Sequence, residues 1–127
     1  MEKEWIEIAK KASQNACSPY SGFQVGACLV TKQGKIYTGC NIENHGIQSI
    51  CAERVAFVKA LSEGEREFVA IAVVGKKKEE EEFIQTLPCG YCRQFMAEYV
   101  TPDFRIITQE NTYTMQELLP HSFDVKR

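Results

Sequence analysis

At 127 residues and 14.4 kDa, with 44% apolar residues, the chain has material for one compact core and no room for a second domain. A net charge of -2 and a pI near 5.7 give no sign of the basic surface by which nucleic-acid binders hold phosphates, so a small molecule is the expected partner. No run approaches the length of a membrane span, and the opening "MEKEWIEIAKKASQNAC" carries charge where a secretory leader would be apolar, so a cytoplasmic protein is expected.

Trp5, Ile8, Ala9, Ala12 and Ala16 recur at steps of three and four, which predicts an amphipathic helix over 2–16. "SPYSG" (18–22) breaks it. "FQVGACLV" (23–30) and "KIYTGCNIE" (35–43) read as strands, and the glycine of the intervening "TKQG" suits a hairpin turn. A helix follows from about Cys51 to Leu61, closed by "SEGER" (62–66). "FVAIAVVG" (68–75) is almost wholly apolar, as a strand buried on both faces must be. The run "KKKEEEE" (76–82) reads as a solvated loop. A second short helix is expected from Cys89 to about Tyr99, then strands at "FRIIT" (104–108) and "TYTM" (112–115), and a closing helix at "QELLP" (116–120). Strands separated by helices imply an α/β fold: a three-layer α-β-α sandwich around one mixed sheet of about five strands, formed by residues 1–127 as a single domain.

Six cysteines in a reducing compartment signify metal or chemistry more readily than disulfides. Cys17, Cys28 and Cys40 have no purposeful spacing and read as small buried side chains. Cys51, Cys89 and Cys92 differ. Cys89 and Cys92, three apart, share a helix face, and Pro88 suits a helix opening because its missing N–H would be unpaired there anyway. Cys51 and Glu53, two apart, would diverge inside a helix; they converge only if the helix starts at the cysteine. Two helix N-termini then meet at one electropositive point, which favours thiolates as metal ligands. Three thiolates on zinc leave one of four tetrahedral positions open, the mark of a catalytic site, and Glu53 would sit beside it as proton acceptor.

These residues resemble the signature of the zinc-dependent nucleoside deaminases, and in particular the small three-cysteine cytidine deaminases. "SPYSGFQVGACL", "GCNIEN", "CAERVAF", "FVAIAVV", "PCGYCRQ" and "ELLPHSF" fall in the order that family shows, so the resemblance covers nearly the whole chain. It implies hydrolytic deamination of cytidine and deoxycytidine in pyrimidine salvage, with one zinc per chain on Cys51, Cys89 and Cys92. Glu53 would accept the proton of the bound water, deliver it to N3 of the pyrimidine and help ammonia leave as C4 is attacked. Asn41 and Glu43 match the pair that binds the ribose hydroxyls, Phe23 the ring that packs on the base, and Ala52 the backbone that meets the base edge. Arg54 matches an arginine that hydrogen-bonds the thiolates. It would offset the formal charge of -1 on zinc with three thiolates. The family assembles as a homotetramer, in which Phe123 matches a phenylalanine that stacks over the base of a neighbouring subunit.

Without the resemblance, Phe23 reads as a core aromatic, Asn41 and Glu43 as an ordinary strand end, and Arg54 as a solvated helix residue. Glu53 is different, because a carboxylate at the mouth of a three-thiolate site is not surface decoration. Two departures lie near the expected pocket. "NHGIQSI" (44–50) is one residue shorter than the family usually has and lacks its frequent aromatic, and Leu87 replaces a small residue before the proline. Two alternative readings stand beside the first. One is a deaminase of a modified cytosine nucleoside or a cytosine-containing antibiotic of the blasticidin type. The other is a structural zinc module closed by His45 or His121 as fourth ligand.

Overall fold

A computed structural model describes residues 1–124. Helix α1 (Glu2–Ser13) leads into strands β1 (Phe23–Thr31) and β2 (Ile36–Cys40), helix α2 (Ala52–Ser62), strand β3 (Phe68–Lys77) and helix α3 (Gly90–Ala97). Strands β4 (Arg105–Ile107) and β5 (Thr112–Thr114) and a single-turn helix α4 (Met115–Leu118) close the chain. The sheet runs β2-β1-β3-β4-β5, with β3 and β4 parallel through the α3 crossover and the other neighbours antiparallel. The mixed five-stranded sheet expected from the sequence is therefore present, with helices on both faces.

Strand alternation divides the core in two. Cys28 and Val30 of β1, with Ala70, Ala72 and Val74 of β3, pack against Trp5 and Ala9 of α1. Ala27, Leu29, Ile71 and Val73 point to the other face, where Ala56, Phe57 and Ala60 of α2, Met96 of α3 and Met115 of α4 cover them. The approach of α2 to the sheet is close. A Cβ on Gly39 would lie 2.3 Å from the Ala52 carbonyl oxygen and 2.7 Å from the Ala56 nitrogen, so only glycine lets β2 accept the first turn of α2.

Element boundaries differ from expectation for local reasons. Helix α1 stops at Ser13, whose hydroxyl bonds back to the Lys10 carbonyl at 2.6 Å, and residues 14–16 continue only through tighter i to i-3 bonds. Strand β2 ends at Cys40 instead of Glu43, because Ile42 turns away from β1 to form bridges with Cys17 and Ile50. The first lysines of "KKKEEEE" belong to β3, where Lys76 and Lys77 pair with Gln24 and Phe23; the loop starts only after them. Helix α3 ends at Ala97, two residues before Tyr99. Among the described residues no helix is long and apolar enough to cross a membrane.

Candidate active site

Both helix starts that the sequence required are present. Cys51 is the N-cap of α2 and Cys89 that of α3, each in an extended conformation, and neither cysteine side chain takes up the first N–H groups of its helix. Pro88 is fully buried just before the second. Cys92, also buried, lies one turn into α3 on the face of Cys89. The sulfurs of Cys51, Cys89 and Cys92 lie within 4.8 Å of one another, with Cys51 and Cys89 3.9 Å apart. Among the described residues no histidine joins this set. Neither His45, whose Nδ1 meets the Tyr20 hydroxyl at 3.2 Å, nor His121 belongs to the thiol cluster.

The electrostatics suit a cation. The Cys51 thiol is pulled down from 9.0 to about 5, first by its hydrogen bond with Cys92, then by Arg54 and Cys89 against the cost of burial. Cys92 is pushed up by the neighbouring Cys51 sulfur and by burial. Arg54, against burial, is held charged by the sulfurs of Cys92 and Cys51. Its Nη2 donates to the Ser49 carbonyl at 3.0 Å, its plane lies over Tyr91 at 4.3 Å, and its buried Nε has no acceptor. A metal fits here: three thiols at helix N-termini are ligands by chemistry, and the thiolates it would stabilise are the acceptor that Arg54 Nε lacks.

Glu53 is 3% exposed, and burial, reinforced by the nearby Cys51 sulfur, pushes its carboxyl up to about 7, with its own backbone N–H and Arg54 pulling the other way. A carboxyl at that value can take and return a proton at neutral pH.

The comparisons with known proteins agree on one family. The sequence profile described as the cytidine and deoxycytidylate deaminase zinc-binding region matches residues 1–108. A cytidine deaminase of Halalkalibacterium halodurans is 44% identical over 93% of this chain and 90% of its own length. The chain belongs to the cytidine and deoxycytidylate deaminase family. The crystal structure of a cytidine deaminase from Burkholderia pseudomallei superposes with a TM-score of 0.88 at 42% identity, covering 97% of this chain and 99% of the other. A more distant relative, the blasticidin-S deaminase of Bacillus cereus, is 30% identical over 91% of this chain and 89% of its own length. The matched region is a zinc-binding one, so zinc is the metal for which the three thiols are suited.

The remaining residues singled out by resemblance to these deaminases fall at the same end of the sheet. Phe23 starts β1 on the face covered by α2 and α3, and its ring lies where a side chain on Gly75 would stand, 2.8 Å from that missing Cβ. Asn41 has more to do than the resemblance implies. The β1–β2 ladder ends at the Gly26 and Cys40 pair, and the Asn41 side chain extends it, accepting from Val25 N–H at 2.9 Å and donating to Phe23 C=O at 2.8 Å. Glu43 accepts from Tyr20 N, Ser21 N and the Ser21 hydroxyl. Ala52 is buried as the first residue of α2, and its carbonyl lies against Gly39.

Phe123 is 71% exposed, while its N–H and C=O are both held by the Gln94 side chain, at 3.0 and 2.9 Å. Gln94, Tyr91 and Gly75 escape sequence reasoning. Gln94 and Tyr91 carry only one signal, their place in and beside the "CGYC" motif, and the role of Gly75 depends on which ring crosses it.

Proposed function

We propose that residues 1–127 form a single-domain, zinc-dependent enzyme that hydrolyses cytidine and deoxycytidine to uridine and deoxyuridine with release of ammonia, in pyrimidine salvage. The observation that carries this reading is the meeting of three thiols at two helix N-termini beside a buried carboxyl poised at about 7. Zinc on Cys51, Cys89 and Cys92 would supply the acidity that makes water nucleophilic near neutral pH. Glu53 takes the proton of the attacking water, gives it to N3 of the pyrimidine, and passes a second proton to the leaving amine. Water adds to C4 as N3 takes the first proton, the hydroxyl so formed gives up the second as the C4–N bond breaks, and cytidine and water balance uridine and ammonia. Phe23 packs on the base, the Ala52 N–H meets its edge, and Asn41 and Glu43 receive the sugar hydroxyls. Arg54 neutralises the thiolates.

A homotetrameric cytoplasmic enzyme, acting on a free nucleoside and not on nucleic acid, completes the reading. Ile42, Ile47, Ile50, Leu87, Tyr91 and Phe123 are all exposed in segments bearing or flanking the site residues, more apolar surface than a monomer usually leaves beside a pocket. All six cysteines are free, as in a reducing compartment.

The likeness to a blasticidin-S deaminase, together with the shortened 44–50 loop, favours a cytosine-containing antibiotic as second reading. The test is the ultraviolet change on mixing zinc-loaded protein with cytidine, deoxycytidine and blasticidin S, beside a zinc count per chain. Rapid loss of cytidine absorbance with one zinc per chain is expected. Turnover of the antibiotic alone would establish the second reading, and zinc without turnover of any substrate would defeat both.

A further inference from the structure

Glu43 stands at the turn that links α1 to β1, and that turn is built around its carboxylate. Residues 18–22 close on themselves through Gly22 N–H to the Ser18 carbonyl at 3.0 Å, and Lys78 N–H pins the Gly22 carbonyl to the end of β3 at 2.8 Å. On this fixed turn Tyr20 N–H and Ser21 N–H both donate to Glu43 Oε1, at 3.0 and 3.1 Å. Two amides on one oxygen anchor the carboxylate but leave its plane free to rotate about that anchor. The Ser21 hydroxyl bonds the second oxygen, Oε2, and so sets the plane. The direction of that bond is also settled. Ser21 Oγ accepts from Phe23 N–H at 3.1 Å, which leaves its own proton to point at Glu43.

We propose that Ser21 is a positioning residue for substrate binding, whose hydroxyl orients the Glu43 carboxylate toward the sugar and ties it to the first residue of β1. The proposal rests on the reading of Glu43 as a sugar-binding residue. One hydroxyl thereby joins the backbone of Phe23, the residue placed on the base, to the carboxylate placed on the sugar, and fixes the distance between two parts of one ligand. The other side of Phe23 is held in the same manner, since its carbonyl accepts from Asn41. The Ser21 hydroxyl, followed by the Ser21 and Tyr20 amides, holds the Glu43 carboxyl below its ordinary 4.5 against a small cost of burial, so it is ionised when a nucleoside arrives. A cavity of about 450 Å³ opens beside it, lined by Tyr20, Ser21, Glu43, Asn44, His45 and Ile47; Tyr20 and His45, bonded to each other, are the other titratable groups there.

The test compares wild type, Ser21→Ala, Ser21→Thr, Glu43→Ala and the Ser21→Ala/Glu43→Ala double variant, all zinc-loaded, on cytidine and on 2′,3′-dideoxycytidine, which keeps the 5′ hydroxyl but lacks the 2′ and 3′ hydroxyls that Glu43 is read to hold. Ser21→Ala should raise KM for cytidine about tenfold with kcat within about twofold, and change kcat/KM for the dideoxynucleoside by less than about twofold. Ser21→Thr keeps the hydroxyl and should restore KM. The double variant should be no worse than Glu43→Ala alone. Equal losses on both nucleosides would make Ser21 a turn stabiliser and overturn the proposal. An unchanged KM in Ser21→Ala beside a raised one in Glu43→Ala would overturn it while leaving the sugar reading intact. No effect of Glu43→Ala on cytidine would remove the sugar reading and the proposal together.

Discussion

Burial and the neighbouring Cys51 sulfur hold Glu53 near neutrality, where one carboxyl can serve two proton transfers in turn. Glu53→Gln keeps the shape of the side chain and removes the transferable proton. Turnover of cytidine should fall by at least about 100-fold to 10,000-fold with zinc content unchanged, read by single-turnover kinetics and metal analysis. The proposed part of Arg54 is one of charge. Arg54→Ala removes a cation over two sulfurs and should weaken zinc retention against a chelator by about 10-fold to 100-fold, with Arg54→Gln intermediate. Cys28 lies on the opposite face of the sheet, where burial pushes its thiol from 9.0 up to about 11. A folded-state value above the unfolded one means that the stabilisation is complete below pH 9 and is lost as pH rises towards 11, by about 1.4 kcal/mol per unit. Denaturant unfolding at pH 8 and pH 10 should show this loss in wild type and a smaller one in Cys28→Ala.

At the scale of elements, the site is two helix starts brought together by a sheet. The starts were legible because each carries a local signal: "PCGYC" places a proline and two thiols at one, and "CAE" makes sense only if the helix begins at the cysteine. The sheet was legible from the apolar runs of β1 and β3. Helix and strand ends were not, because they are decided through space: Ser13 bonding back to Lys10, Ile42 pairing with Ile50, Lys76 and Lys77 continuing opposite Gln24 and Phe23. Ser21 was invisible for the same reason. Its partners Phe23 and Glu43 lie two and twenty-two residues away, and only the fold puts one hydroxyl between them. Gly39 gives the elements their testable contact. Gly39→Ala would drive a methyl into the Ala52 carbonyl and push the first turn of α2 outwards, carrying Cys51 with it. The variant should lose about 1 to 3 kcal/mol of stability in thermal unfolding, and bind zinc more weakly than wild type even at temperatures where it is fully folded.

For the whole molecule, the proposed assembly makes Phe123 a shared part. A tetramer should sediment near 58 kDa, four times 14.4. Phe123→Ala should raise KM for cytidine by about 5-fold to 100-fold, the equivalent of a lost stack on a base, with zinc retained. A fully active monomer at assay concentration would disprove the assembly and leave the zinc chemistry standing. The Gln94 clasp on the Phe123 backbone adds a coupling between levels. Gln94 stands two residues beyond Cys92 on the same short helix, so the segment that would reach a neighbour is fastened to the segment that would hold the metal. In the proposed assembly such a fastening would make metal loading and subunit association linked equilibria, and linkage is reciprocal: whatever ordering the metal lent to association, association would return as metal affinity. Dilution would then act as a chelator does, and metal supply as a means of setting how much of the protein is assembled.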